Sequence, residues 1–152
     1  MVESNSSSLE SCAVCRRHVS GEGLPAGALY SDELVFIAHF PLIPSEPAHR
    51  GHIILEMRRH LTSPSQMTEQ EAQAVGKWTQ KIVRAQEQAL NAVHVYVVRI
   101  GDLTPHLHFH FVPRYAQTPK EQWGPLLFRW KEGPKAGAQE MGELTSQIKK
   151  WL

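Results

Sequence analysis

His106, His108 and His110 alternate with Leu107, Phe109 and Phe111 within the stretch Gly101-Asp102-Leu103-Thr104-Pro105-His106-Leu107-His108-Phe109-His110-Phe111-Val112-Pro113-Arg114. A period of two is that of an extended strand, whose successive side chains leave opposite faces. The three imidazoles therefore share one face, and the large apolar residues share the other and can anchor it in a core. Neighbouring rings on such a face sit about 7 Å apart, from a rise of about 3.3 Å per residue. One site can use all three, but the outer two lie about 13 Å apart and cannot easily converge on a single ion. A metalloenzyme with all three as ligands is therefore the weakest reading. Near neutral pH imidazole serves as metal ligand, nucleophile or proton carrier. Pro113 has no N–H for a ladder, so the strand is expected to end there.

The rest of the chain supplies the elements such a strand needs. Leu34–Phe40 is an apolar strand, preceded by a short strand and the turn Ser31-Asp32-Glu33. The prolines of Pro41–Pro47 impose a stiff loop before the strand Gly51–Glu56. Thr68-Glu69-Gln70-Glu71 is a capping box. It opens a helix to Leu90 whose apolar stripe is Val75, Trp78, Ile82, Ala85 and Ala89. Asn91 is a suitable helix end. Val93–Ile100 alternates as a strand, and the short connection Gly101–Pro105 predicts antiparallel pairing with the histidine strand. Trp123, Phe128 and Trp130 belong to an irregular packed extension, followed by an amphipathic helix over Ala136–Leu152.

These elements predict one α+β domain over residues 12–152, within a chain of 152 residues that is 41% apolar. The Ser-rich, acidic residues 1–11 read as a disordered lead-in, without the apolar core of a secretory signal. A formal charge of +1 argues against a partner that is a nucleic acid polymer or an anionic membrane. No apolar run approaches the ~20 residues of a membrane span, and cytoplasm is the default location.

The only cysteines form Cys12-Ala13-Val14-Cys15, followed by Arg16–Gly23, a turn-rich passage. In a reducing compartment two thiols on one tight turn suit half of a tetrahedral zinc site, with two ligands from elsewhere. His18 is a local candidate for one of them.

His106-Leu107-His108-Phe109-His110-Phe111-Val112 resembles the signature of the histidine triad (HIT) family, three histidines alternating with apolar residues. Gly51-His52-Ile53-Ile54-Leu55-Glu56-Met57-Arg58-Arg59-His60 resembles the family's Gly-His segment, with Met57 where proline is usual. The resemblance implies a HIT-like fold: a mainly antiparallel sheet with a long helix packed on it and a C-terminal helix. It implies a nucleotide hydrolase or nucleotidyl transferase acting at the α-phosphate of a nucleoside phosphate. His108 would be the nucleophile forming a nucleotidyl-histidine, supported by His110 and His52. A nucleotide-binding or regulatory protein with little catalysis is the alternative. Cys12 and Cys15 resemble the pair of the zinc-bearing branch, whose other ligands carry over to His60 and His106, in competition with His18. That zinc would be structural, with no catalytic metal, and a homodimer is usual. Asp102, Thr104 and Arg114 are the candidate substrate-binding residues. Asp102 stands where many relatives carry a glutamine.

Overall fold

The computed structural model describes residues 11–42, 47–124, 127 and 130–152. The lead-in up to residue 10, the middle of the proline-rich loop and Phe128 lie outside the described residues. The central sheet has five strands: β1 (Tyr30–Ser31), β2 (Val35–His39), β4 (Ile53–Met57), β5 (His94–Val98) and β6 (His108–Arg114). Their spatial order is β1-β2-β4-β6-β5, and every neighbouring pair is antiparallel. A separate ribbon pairs β3 (Ala48–His49) with β7 (Lys135–Ala136). The helices are α1 (Ala13–Ser20), α2 (Glu69–Leu90) and α3 (Ala138–Lys149). No helix of the described residues is long and apolar enough to cross a membrane.

Interior strands β2 and β4 are buried at every position, which explains their nearly unbroken apolar sequence. One face of the sheet carries Ile53, Leu55, Met57 and Phe111 into a core completed by Trp78, Ile82 and Ala85 of α2. Met141, Leu144 and Ile148 of α3 join the same core. Thr68 and Glu71 form the reciprocal capping box, and Asn91 ends α2 in the left-handed conformation. Trp78 is only 4% exposed and lies under the Tyr30 ring at 4.1 Å, so it is a core residue.

Three local expectations shift. The passage after Cys15 is helical to Ser20, and its glycine signals belong to the helix end. Gly21 takes φ +70° and donates its N–H to the Arg17 carbonyl at 2.8 Å. β5 stops at Val98, so its connection to β6 is longer than five residues. β6 continues past Pro113 to Arg114. The ladder with β4 ends at Ile53 opposite Phe111, so Pro113 adjoins β5 alone, opposite Val95.

Two histidines outside the triad hold the entry to β4. His39 accepts the Gly51 N–H at 3.0 Å through Nε2, and His49 donates from Nε2 to the Pro113 carbonyl at 2.9 Å. Burial pushes His39 down to about 4. Gly51 between them has φ +77°, and an added Cβ would lie 2.4 Å from Leu90 Cδ1 and 3.0 Å from Tyr115 Oη. The glycine before His52 is therefore a requirement of backbone hand and of packing. Gly51→Ala should cost about 2–5 kcal/mol, from the left-handed backbone and from overpacking. Urea unfolding checks this, and a loss below about 1 kcal/mol would refute it.

Candidate functional site

The register of β4 and β6 sets Glu56 opposite His108 and Ile54 opposite His110. Directly opposed residues on antiparallel strands point to the same face. Since Ile53, Leu55 and Phe111 face the core, these four form the floor of a pocket on the other side. Val14 and Arg17 of α1 wall it, with Phe40 after β2 and Thr104 before β6. Its volume is about 210 Å³.

His108 is half-buried at this floor, and its Nδ1 lies 2.6 Å from the His106 carbonyl oxygen. A carbonyl can only accept, so Nδ1 carries the proton and Nε2 the in-plane lone pair. His110 meets the His108 ring edge-on, with centroids 4.8 Å apart. Behind it, His52 Nε2 is 3.0 Å from His110 Nδ1, and Phe40 stacks on His52 at 4.4 Å. Burial, assisted by the neighbouring His108, lowers His110 to about 4. Burial, then His110, also holds His52 well below the ordinary imidazole value. Both rings are thus neutral near pH 7.

Beside the pocket, Cys12, Cys15, His60 and His106 bring four ligand atoms within 4.8 Å of one another. Cys12 caps α1 and Cys15 stands in its first turn, a three-residue spacing that puts both thiols on one side of the helix. His60 follows β4 and His106 precedes β6. Three sulfur–nitrogen separations are each 3.5 Å: Cys12 to His106, Cys15 to His60 and Cys15 to His106. Tetrahedral zinc, with bonds of about 2.3 Å to sulfur and about 2.0 Å to nitrogen, spaces such ligands by about 3.5 Å. His106 donates from Nε2 to the Met57 carbonyl at 2.7 Å, which turns the Nδ1 lone pair toward the thiols. Burial keeps His106 neutral by lowering it to about 4. Burial, with the Cys12 thiol beside it, holds the Cys15 thiol up to about 11, so an arriving metal must displace its proton. The donor set and its spacing fit zinc.

His60, and not His18, completes this cluster. His18 stacks on Phe36 at 4.6 Å and donates from Nε2 to Glu56 Oε2 at 2.9 Å. Met57 also has a physical role at the position where proline is usual. Its N–H donates to the Leu107 carbonyl at 3.1 Å, a bond that proline could not make.

Among the residues read as substrate-binding, Thr104 reaches the pocket wall. Asp102 is exposed and absent from that wall. Arg114 lies six residues along β6 from His108, about 20 Å away at the strand rise. Its guanidinium sits 3.8 Å over the Trp123 ring. Sequence reasoning missed Glu56 and Arg17. Glu56 is 1% exposed and bonded to both Arg17 Nη2 and His18. One signal existed: a lone carboxylate in the otherwise apolar run Ile53-Ile54-Leu55-Glu56-Met57. Nothing local could have paired it with a helix 39 positions upstream.

Comparison with known proteins agrees with this fold. The HIT domain family model matches residues 22–117. No curated protein matches the chain in sequence. A zinc-bound histidine triad family protein from Mycobacterium smegmatis superposes with a TM-score of 0.62 at 21% identity, over 93% of this chain and 96% of that one. A histidine triad protein from Sinorhizobium meliloti gives 0.66 at 16% identity, over 83% and 89%. A Plasmodium falciparum diadenosine triphosphate hydrolase, solved with cyclomarin A, gives 0.58 at 13% identity, over 83% and 76%. These structures share the fold, and the family match spans most of the chain from before β1 to just after β6. The match covers both the histidine strand and the Gly-His strand paired with it, and the chain belongs to the HIT domain family.

Proposed function

We propose that the protein is a nucleotide hydrolase or nucleotidyl transferase in which His108 attacks the α-phosphate of a nucleoside phosphate. The observation that carries this reading is the Nδ1 bond to the His106 carbonyl, which leaves Nε2 with the lone pair at a pocket floor. In the first step Nε2 bonds to phosphorus while the bond to the leaving group breaks, and the leaving group departs with the electron pair. In the second, water or another acceptor attacks the His108–nucleotide adduct, loses a proton and releases Nε2. His110, whose Nδ1 lies 3.0 Å from His52 Nε2 and whose ring meets His108 edge-on, would stabilise the phosphate as charge develops, with His52 behind it. Thr104, also at the pocket wall, is the substrate-binding candidate nearest this chemistry. The substrate class is a dinucleoside polyphosphate, a nucleoside phosphoramidate or a similar nucleoside phosphate derivative.

A second reading, nucleotide binding with little turnover, draws on Glu56, whose buried carboxylate shares the pocket with His108 and repels phosphate. Incubation with adenosine phosphoramidate, diadenosine polyphosphates and nucleotide sugars separates the two, by release of nucleoside monophosphate. Wild-type protein should turn over at least one of them. His108→Ala should reduce that rate about 10³-fold or more with unchanged melting temperature. Turnover retained above a tenth of the wild-type rate would remove His108 from the mechanism. Binding without any turnover would select the second reading.

We assign the Cys12, Cys15, His60 and His106 cluster to a structural zinc. It ties the first turn of α1 to the ends of two sheet strands, a closure worth on the order of 10 kcal/mol when the metal binds. Purified protein should contain about one zinc per chain. Chelation, or Cys12→Ser, should lower the melting temperature by more than about 10 °C, at roughly 2–4 °C per kcal/mol for a chain of this size. Equal melting of metal-loaded and metal-stripped protein would show that the cluster does not hold the fold.

We further propose a homodimer along the outer edge of β5, which among the described residues pairs only with β6. Val93, Val97 and Ile100 stand 45–52% exposed along this segment, and an unpaired apolar edge favours association. A cysteine pair placed as metal ligands suits the reducing cytoplasm, the location we propose. Sedimentation should give a dimer that Val97→Lys converts to monomer, and a wild-type monomer at micromolar concentration would overturn this assembly.

A further inference from the structure

Glu56 is an unusual component for a phosphate pocket, and its partners suggest a purpose. Its carboxylate is 1% exposed, directly across the strands from His108. Both oxygens are occupied by consecutive residues of α1: Oε1 by Arg17 Nη2 and Oε2 by His18 Nε2 at 2.9 Å. One N–H of a five-donor guanidinium accounts for the Arg17 contact. Arg17 also lines the pocket with His108 and His110 and its side chain is 16% exposed, while its Nε is buried and has no hydrogen-bond partner among the described residues. A guanidinium gripped at one nitrogen and facing a pocket with donors to spare is a preorganised anion site.

On the reading that His108 attacks a nucleoside phosphate, we infer that Arg17 binds the non-bridging oxygens of that phosphate, with Glu56, itself held by His18, fixing its guanidinium in place. The carboxylate then serves to aim the arginine, and the cation offsets the repulsion that Glu56 alone would exert. Position supports the assignment. Arg17 is two residues beyond Cys15 on the same short helix, so the residues that anchor α1 also set where the guanidinium stands. Charge-assisted bonds to an oxyanion are among the strong ones, and their loss is read as a loss of affinity for the phosphorylated ligand alone.

The test compares Kd values for the 5′-monophosphates of adenosine, guanosine, cytidine and uridine with those for the four unphosphorylated nucleosides, by calorimetry at fixed ionic strength. It uses the full chain carrying His108→Ala, so that nothing turns over. Adding Arg17→Ala should weaken monophosphate binding about 10- to 100-fold and change nucleoside binding less than about twofold. Arg17→Lys should recover part of the loss, since it keeps the charge without the fork. Arg17→Ala leaves Glu56 buried without its cation, so the double change Arg17→Ala with Glu56→Gln removes that burden. If Arg17 merely neutralises Glu56, the double variant will bind monophosphates as tightly as the parent, and the inference fails. If Arg17 holds phosphate, the double variant stays weak while melting like the parent. A parent chain that binds no monophosphate at all overturns the nucleotide reading itself, and this inference with it.

Discussion

The antiparallel register between β4 and β6 is the constraint from which the site follows. Setting Glu56 against His108 and Ile54 against His110 puts two imidazoles and a carboxylate on one face, while Ile53, Leu55 and Phe111 turn into the core. A slip of one residue would exchange the two sets and bury the site. The register is defended from both ends. At one end the Met57 N–H bonds the Leu107 carbonyl and the Met57 carbonyl accepts from His106. At the other, Gln86 of α2 donates at 2.9 Å to the carbonyls of both Gly51 and Phe111.

The three histidines of the alternating stretch, of which only His108 and His110 lie in β6, consequently perform three different tasks. His106 just precedes the ladder, is 1% exposed, and turns Nδ1 to the thiols. His108 is half-buried with its proton committed to a backbone carbonyl. His110 is pressed against His52 and kept neutral by burial. The same residue type thus acquires different chemistry from its surroundings, chiefly from which nitrogen is already occupied and how much water reaches the ring.

Helix α1 joins two features that look unrelated in the sequence. Its first turn holds the cysteine pair, and its next turn supplies Arg17 and His18 to Glu56. The apparently turn-rich residues after Cys15 became helix because Gly21 could close the last turn in the left-handed conformation. That turn of structure converts a local cysteine clip into one wall of the pocket.

Periodicity and punctuation determined much by themselves. The alternating histidine strand, the helix between Thr68 and Asn91, the hairpin-like pairing of the last two sheet strands and the pairing of Cys12 with Cys15 are encoded in residues close together in the chain. Local encoding works there because strand alternation, helix stripes and capping boxes act over a few positions. Tertiary structure alone decided that His18 turns to Glu56, that Asp102 stays in solvent while Thr104 reaches the pocket, and that Arg17 meets Glu56. Each of those outcomes depends on which face of one element meets which face of another. Sequence spacing cannot specify that, because it is set by how the whole core packs.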